Sequence, residues 1–387
     1  MENNLWNKKI DRRELLKFSA GAAATLAVGS LLPSKVFARA AVNSTEKITL
    51  ADCLKMTPEQ MAEKSAMTKN GYAYLLKRVQ DVSDDNVRQI ALEGLKSPKP
   101  KLMELYTAGS RCEMARRQLV DAGYIKNENT CEQILPPCKG SDICVQSFFA
   151  SPGSGWKSHH AYPGGLVSHV ATDMQIALGA YDSYEKIYGY EMNKELIVSA
   201  ILLHDVQKPW VLQWQKDNAC MPETNIAGTG AHHILAIADA IYRRLSPELV
   251  VAIACSHDHP GFPSDEEQVV NWIKAAGILA NSDPVKYGLL AADGKTLPLP
   301  RRQEGFLVHL GDHDYVLTAP VSKWLSEKLR ELVQKQYKMT DEDINGKPFN
   351  TLRNYLYSQM SDMQLYQLWV EKGEKALGAM VATIVTP

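Results

Sequence analysis

The sequence predicts an almost wholly α-helical protein, and three observations carry that expectation. Apolar residues recur at helical spacing through most of the chain, Ser or Thr caps backed by proline punctuate the apolar runs, and no succession of short alternating strands appears before residue 150. There is no internal repeat or low-complexity tract. A chain of 387 residues, less a short leader, is long enough to bury a large core as one body.

Residues 1–40 read as the leader. Asp11-Arg12-Arg13-Glu14-Leu15-Leu16-Lys17 precedes the weakly hydrophobic run Phe18 to Leu32, and Ala38-Arg39-Ala40 follows as an A-x-A cleavage site. This resembles a twin-arginine (Tat) export signal, which implies dealings with the Tat machinery, cleavage near Ala40 and a mature protein soluble in the bacterial periplasm. The apolar run is shorter than the roughly 20 residues a membrane span requires. No later stretch of the sequence suits a span either.

Residues 41–150 are expected to form a helical N-terminal extension, with Thr57-Pro58-Glu59-Gln60 as a capped helix start and an amphipathic run from Met103 to Val120. Residues 151–290 form the helical core, and residues 291–387 a C-terminal extension with helices near Ala319 to Tyr337 and Asn350 to Leu377. Between them, Phe306 to Thr318 reads as a short β-hairpin turning at Gly311-Asp312, which makes His309 and His313 part of a polar turn.

The core segment holds the chemistry. His169, His204, Asp205, His233, His257 and Asp283 occur at intervals of about one helix and a loop, so each helix would supply one ligand or an adjacent pair. Residues three, four and seven apart share a helix face. His233 aligns with Ile237, Ala240 and Ile241 and should point inward, whereas His232 aligns with Ala236, Asp239 and Arg243 and should point outward. His257 follows Val250, Ile253 and Ala254 in a helix opened by Ser246-Pro247, and Asp283 closes the stripe Val269, Ile273, Ala276 and Ala280 behind a Ser264/Glu267 capping box. A lone histidine on an apolar face is more often a satisfied core residue. Six titratable groups on buried faces would cost several kcal/mol each, roughly, without partners, and metal ligation is the economical explanation.

These residues resemble a known family. His159-His160-Ala161-Tyr162-Pro163-Gly164-Gly165-Leu166-Val167-Ser168-His169 followed by His204-Asp205-Val206-Gln207-Lys208 is similar to the HD-domain metal-dependent phosphohydrolase superfamily over residues 156 to 290. The resemblance implies an HD-domain helical core with two divalent transition metal ions (Fe, Mn, Co, Ni or Zn). Their ligands would be His169, His204, Asp205, His233, His257 and Asp283, with Asp205 bridging. It also implies a catalytic role for Asp205, with Lys208 the first candidate for catalytic phosphate contact and substrate binding. His159 and His160, ahead of the Tyr-Pro-Gly-Gly turn, read either as substrate contacts with His160 as proton donor or as an exposed loop pair, and Trp210, in the aromatic run Pro209 to Trp214, reads either as a substrate contact or as core packing. Two departures stand out: Gln207 replaces the glycine of an HD-x-GK pattern, and no β-barrel of the RNA-hydrolysing branch precedes the core.

Two metals in such a site suit phosphoester hydrolysis of a small phosphorylated molecule or nucleotide. The same ligand set suits a di-iron oxygenase acting on a small polyol or phosphonate, or a non-catalytic metal-sensing module, and spacing does not separate these. Removing residues 1–40 leaves 36 Lys and Arg against 41 Asp and Glu, a balance with no nucleic-acid footprint. Of 7 cysteines, Cys131, Cys138 and Cys144 cluster in a Pro-rich loop where one disulfide is expected, and Cys53, Cys112, Cys220 and Cys255 read as core thiols.

Overall fold

Local sequence rules place most of the helices. In the computed structural model, which describes residues 47–96, 100–136 and 146–387, the helices of eight residues or more are α1 (Ala66–Val79), α2 (Asp85–Lys96), α3 (Gly109–Asp121), α4 (Gly165–Tyr188), α5 (Lys194–Leu203), α6 (Ala231–Tyr242), α7 (Pro247–Ala254), α8 (Pro263–Ala280), α9 (Glu304–Gly311), α10 (Tyr315–Tyr337), α11 (Lys347–Gln359) and α12 (Asp362–Ile384). The expected all-α class holds. The proposed leader, Cys138 and Cys144 lie outside the described residues. Among the described residues no helix is long and apolar enough to cross a membrane.

Caps explain several boundaries. Thr57 and Gln60 form the expected capping box at Pro58–Lys64, and the Ser246 hydroxyl accepts from Leu249 N with Pro247 behind it at the start of α7. The Ser264/Glu267 box does not form. Proline is well suited to the first helical position, so α8 starts at Pro263 with Phe262 as its cap residue, while Ser264 Oγ donates to Asp265.

Among the described residues, strands occur only as two-residue pieces. β1 (Ile48–Thr49) pairs in parallel with β4 (Val385–Thr386), and β2 (Asn225–Ile226) pairs antiparallel with β3 (Thr229–Gly230) just ahead of α6. The first pair ties the two ends of the described chain together.

Buried apolar side chains fall into two clusters. The larger one joins α1 through α9, and α5 lies at its centre against α4, α7 and α9, with every residue from Leu196 to Leu203 buried. A helix apolar on all sides belongs in such a position. The smaller cluster packs α10, α11 and α12 against Ile48, Cys53 and Met61, so the N-terminal segment contributes to the C-terminal core.

The expected hairpin at 306–318 is helical instead: α9 runs to Gly311, a 3-10 turn covers Asp312–Asp314, and α10 begins at Tyr315. Gly311 is a glycine of close approach, because a Cβ there would stand 2.9 Å from Asp173 O and 3.0 Å from the Ile201 Cδ1 atom. That tight crossing of α9 over α4 and α5 delivers Asp312 and Asp314 to the middle of the molecule. Cys112 is no core thiol either: it forms a disulfide with Cys131, linking α3 to the segment after it, whereas Cys53, Cys220 and Cys255 are free and buried as expected.

A similar steric limit acts at Gly165, where a Cβ would lie 1.8 Å from His160 O. Gly165→Ala is therefore expected to destabilise the fold by at least about 2 kcal/mol, read as a lower urea midpoint at unchanged slope.

Candidate metal centre

Four imidazoles and two carboxylates converge between α4, α5, α6 and the loop after α7. His169 projects from the second turn of α4, His204 is the C-cap of α5, and Asp205 follows it. Asp205 Oδ2 lies 3.0 Å from His169 Nε2 and 3.4 Å from His204 Nε2, while its Oδ1 lies 3.5 Å from His232 Nε2. Asp312 repeats the pattern from the opposite side, with Oδ1 3.2 Å from His169 Nε2 and 3.8 Å from His204 Nε2, and Oδ2 3.6 Å from His257 Nε2. Both carboxylates thus stand between a His169/His204 pair and a His232/His257 pair.

The other ring nitrogens are held from behind. His204 Nδ1 donates to Ile201 O at 2.9 Å, His232 Nδ1 donates to the Glu223 carboxylate at 2.6 Å, and His257 Nδ1 lies 2.7 Å from Thr229 Oγ1. Asp173 Oδ2 stands 3.4 Å from His169 Nδ1, one turn along α4. Pinning Nδ1 of His204, His232 and His257 fixes the tautomer and turns the Nε2 lone pair toward the centre, the usual arrangement behind metal-binding histidines, whereas His169 Nδ1 meets Asp173 without an aligned hydrogen bond.

The centre is buried, and several of its polar atoms lack an aligned hydrogen bond. Nε2 of His169, His204 and His232 and both Asp205 oxygens are buried without an aligned hydrogen bond, even where ion-pair distances are short. Buried groups of this kind are rare and call for an ion or a chemical role. Burial alone would raise the Asp205 carboxyl, but His204, Lys208 and His169 hold it well below the usual range. Burial disfavours the His204 imidazolium, yet Asp205 and Asp312 outweigh it and push the ring up to about 9. Burial brings His257 down to about 4, so that ring is neutral at physiological pH and its lone pair is open to a cation. The field of the clustered carboxylates demands positive charge, and the donor set, imidazole nitrogen with carboxylate oxygen, fits divalent transition metal ions.

The structure changes the ligand list expected from sequence at two places. Asp283 does not reach the centre. Asn281 adopts a left-handed conformation (φ 51°) that ends α8, and Asp283 instead caps the short turn Pro284–Tyr287, its half-exposed carboxylate accepting from Val285 N at 2.9 Å and Lys286 N at 3.2 Å. The second carboxylate of the centre is Asp312, from the turn after α9. His232, expected to face outward, is the α6 histidine that meets Asp205, while His233 stacks on His257 at 4.1 Å with Nδ1 3.2 Å from Ser256 Oγ. The facial test failed because α6 has no outward side here: residues 231–241 are all buried, and Asp239 is paired with Arg243 inside the fold.

Other expected residues fall as follows. Lys208 is buried, its ammonium 2.5 Å from Asp205 Oδ2 and donating to Gly153 O at 2.6 Å. Trp210 is a core residue. It is fully buried in the larger core, and its indole N–H donates to Pro136 O at 2.6 Å. His159 and His160 are not an exposed pair, for both stand beside His169 at ring distances of 5.0 and 5.5 Å. His160 Nε2 lies 2.7 Å from Asp314 Oδ2 and its Nδ1 3.3 Å from the Tyr162 hydroxyl. Asp173, Glu223, Asp312 and Asp314 were missed. Only Asp173 carried a sequence signal, being four residues from His169 on one helix.

No family model matches the chain, and no solved structure matches it significantly. Among curated proteins it is similar to a dihydroneopterin 2',3'-cyclic phosphate phosphodiesterase of Methanocaldococcus jannaschii, with 27% identity over 216 residues, 55% of this chain and 71% of that protein.

Two sets of substitutions test the centre. Asp312→Ala is expected to lose bound metal in elemental analysis, whereas Asp283→Ala keeps the full complement and costs only about 1 kcal/mol of cap stability. Glu223→Gln should weaken metal affinity by about 10–100-fold in competition with a chromophoric chelator, since it releases the His232 ring without removing a ligand.

Proposed function

We propose that this chain is an exported metal-dependent phosphodiesterase of the HD superfamily, cleaving a phosphodiester of a small phosphorylated molecule at a dinuclear centre. The observation that carries this reading is the pair of carboxylates, Asp205 and Asp312, each set between two pairs of imidazole Nε2 atoms. His169 and His204 would hold one ion and His232 and His257 the other, with the two carboxylates shared. Divalent ions bound there would polarise a phosphoryl oxygen and lower the pKa of a water to make it a nucleophile.

The protein's own residues then have distinct tasks. Lys208 holds the Asp205 carboxylate ionised and oriented, and two of its three N–H donors have acceptors or counter-charges within the fold. His159 and His160 stand beside His169, where they would meet the substrate and deliver a proton to the leaving oxygen; Asp314 Oδ2 orients the His160 ring. The apolar shell of α4, α5 and α6 keeps bulk water from the buried side of the site.

The similarity to a cyclic phosphate phosphodiesterase favours hydrolysis over oxygen insertion, although the donor set alone suits both. Cyclic phosphodiesters on a small heteroaromatic scaffold are the first substrate class indicated. The leader sequence supports export of an already folded, metal-loaded protein, with the mature chain beginning at Ala41.

Purified mature protein loaded with Mn²⁺, Co²⁺, Ni²⁺, Zn²⁺ or Fe²⁺ is expected to hydrolyse 2',3'-cyclic phosphodiesters, to fall to background with chelator or as Asp205→Ala, and to work with redox-inert ions. Oxygen uptake with a polyol, confined to the iron form and without phosphodiester cleavage, would overturn the assignment. A periplasmic product whose N-terminus still includes Arg12 and Arg13 would contradict the cleavage site.

A further inference from the structure

A second group of ligand-type side chains lies outside the centre just described. Asp258, His259 and His309 are all half-buried, and one potential ligand atom from each lies within 4.8 Å of the others. The group adjoins His257, the most exposed of the four imidazoles of the main centre. His257, 22% exposed in its side chain, immediately precedes Asp258, and Asp312 follows His309 by about one helical turn.

Packing holds these rings together. His259 stacks on Phe306 at 5.4 Å and meets the His309 ring at 5.1 Å, and His309 meets His313 at 4.1 Å. His309 Nδ1 donates to Ser256 O at 3.1 Å and His313 Nδ1 donates to His309 O at 2.8 Å, which leaves Nε2 of both rings as lone-pair donors. Asp258 Oδ1 accepts from His259 N at 2.8 Å, so its second oxygen is available. Gly261 N donates to the His259 Nδ1 lone pair at 3.1 Å, a bond that ligation through this ring would exchange for the ion. Two imidazoles and one carboxylate, with the His313 ring beside them, form a donor set suited to Zn²⁺, Co²⁺ or Ni²⁺.

We propose that Asp258, His259 and His309, with His313 beside them, hold an additional divalent transition metal ion at the mouth of the main centre. This site is separate from the ligands of the main centre and does not depend on the reaction proposed for it. An ion so placed sits on the approach to His257 and Asp312, where it would meet an anionic group of an incoming molecule before the buried ions do.

The test is equilibrium dialysis of the full mature chain against Co²⁺, with elemental analysis and the visible absorption of bound Co²⁺ as readouts. Wild-type protein is expected to bind one ion more than the His259→Ala/His309→Ala variant, and Asp205→Ala should lose the ions of the main centre yet keep the outer one. Asp258→Asn, a near-isosteric change that leaves both rings in place, should weaken only the outer ion, by about tenfold or more. The proposal is overturned if the double variant, folded by circular dichroism, binds as many ions as wild type, or if saturating Co²⁺ leaves Asp205→Ala with none. Should the double variant fail to fold, an Asp258→Asn isotherm identical to wild type overturns it equally.

Discussion

The structure depends on placing two carboxylates, Asp205 and Asp312, among imidazoles at the centre of an apolar core. Neither acid could remain ionised there alone, because an uncompensated buried charge costs several kcal/mol, roughly, even after relaxation. Asp205 is held charged by His204, Lys208 and His169, and Asp312 by His169 and His204. These groups sit where the helices of the larger cluster meet, so the same contacts that bury α5 also fix the ligand geometry. Positive charge at this point is a structural requirement.

Backbone packing satisfies that requirement from distant parts of the chain. Asp205 arrives at the C-terminal end of a helix buried on every side, and Asp312 at the end of α9, where Gly311 lets the backbone pass within contact distance of Asp173 O. His232 and His257 owe their orientation to Glu223 and Thr229, in and next to the β2–β3 turn. The small antiparallel pair thus orients ligands despite contributing only two residues per strand.

How much of this was legible in the sequence follows from the range of each signal. The all-α class, the Thr57 and Ser246 caps and the placement of His169, His204 and Asp205 were readable, because helical periodicity and capping are local. His232 against His233 was not, since the facial test presumes that one side of a helix faces water and α6 is enclosed. Asp283 lay at a plausible spacing, but the left-handed Asn281 ends the helix before it and Asp283 caps the next turn. Asp312 was hidden by a different confusion: glycine followed by aspartate reads as a turn, and only tertiary contact shows that Gly311 serves a helix crossing. The Cys112–Cys131 link likewise joins segments that no local rule connects.

The central claim is that the carboxylate pair holds two ions close together, and X-ray absorption at the metal K edge of the fully loaded protein tests it most directly. The account predicts imidazole scattering together with a metal–metal vector of about 3.5–4 Å, which Asp312→Ala abolishes. Imidazole scattering without any metal–metal vector, at full metal occupancy, would contradict it.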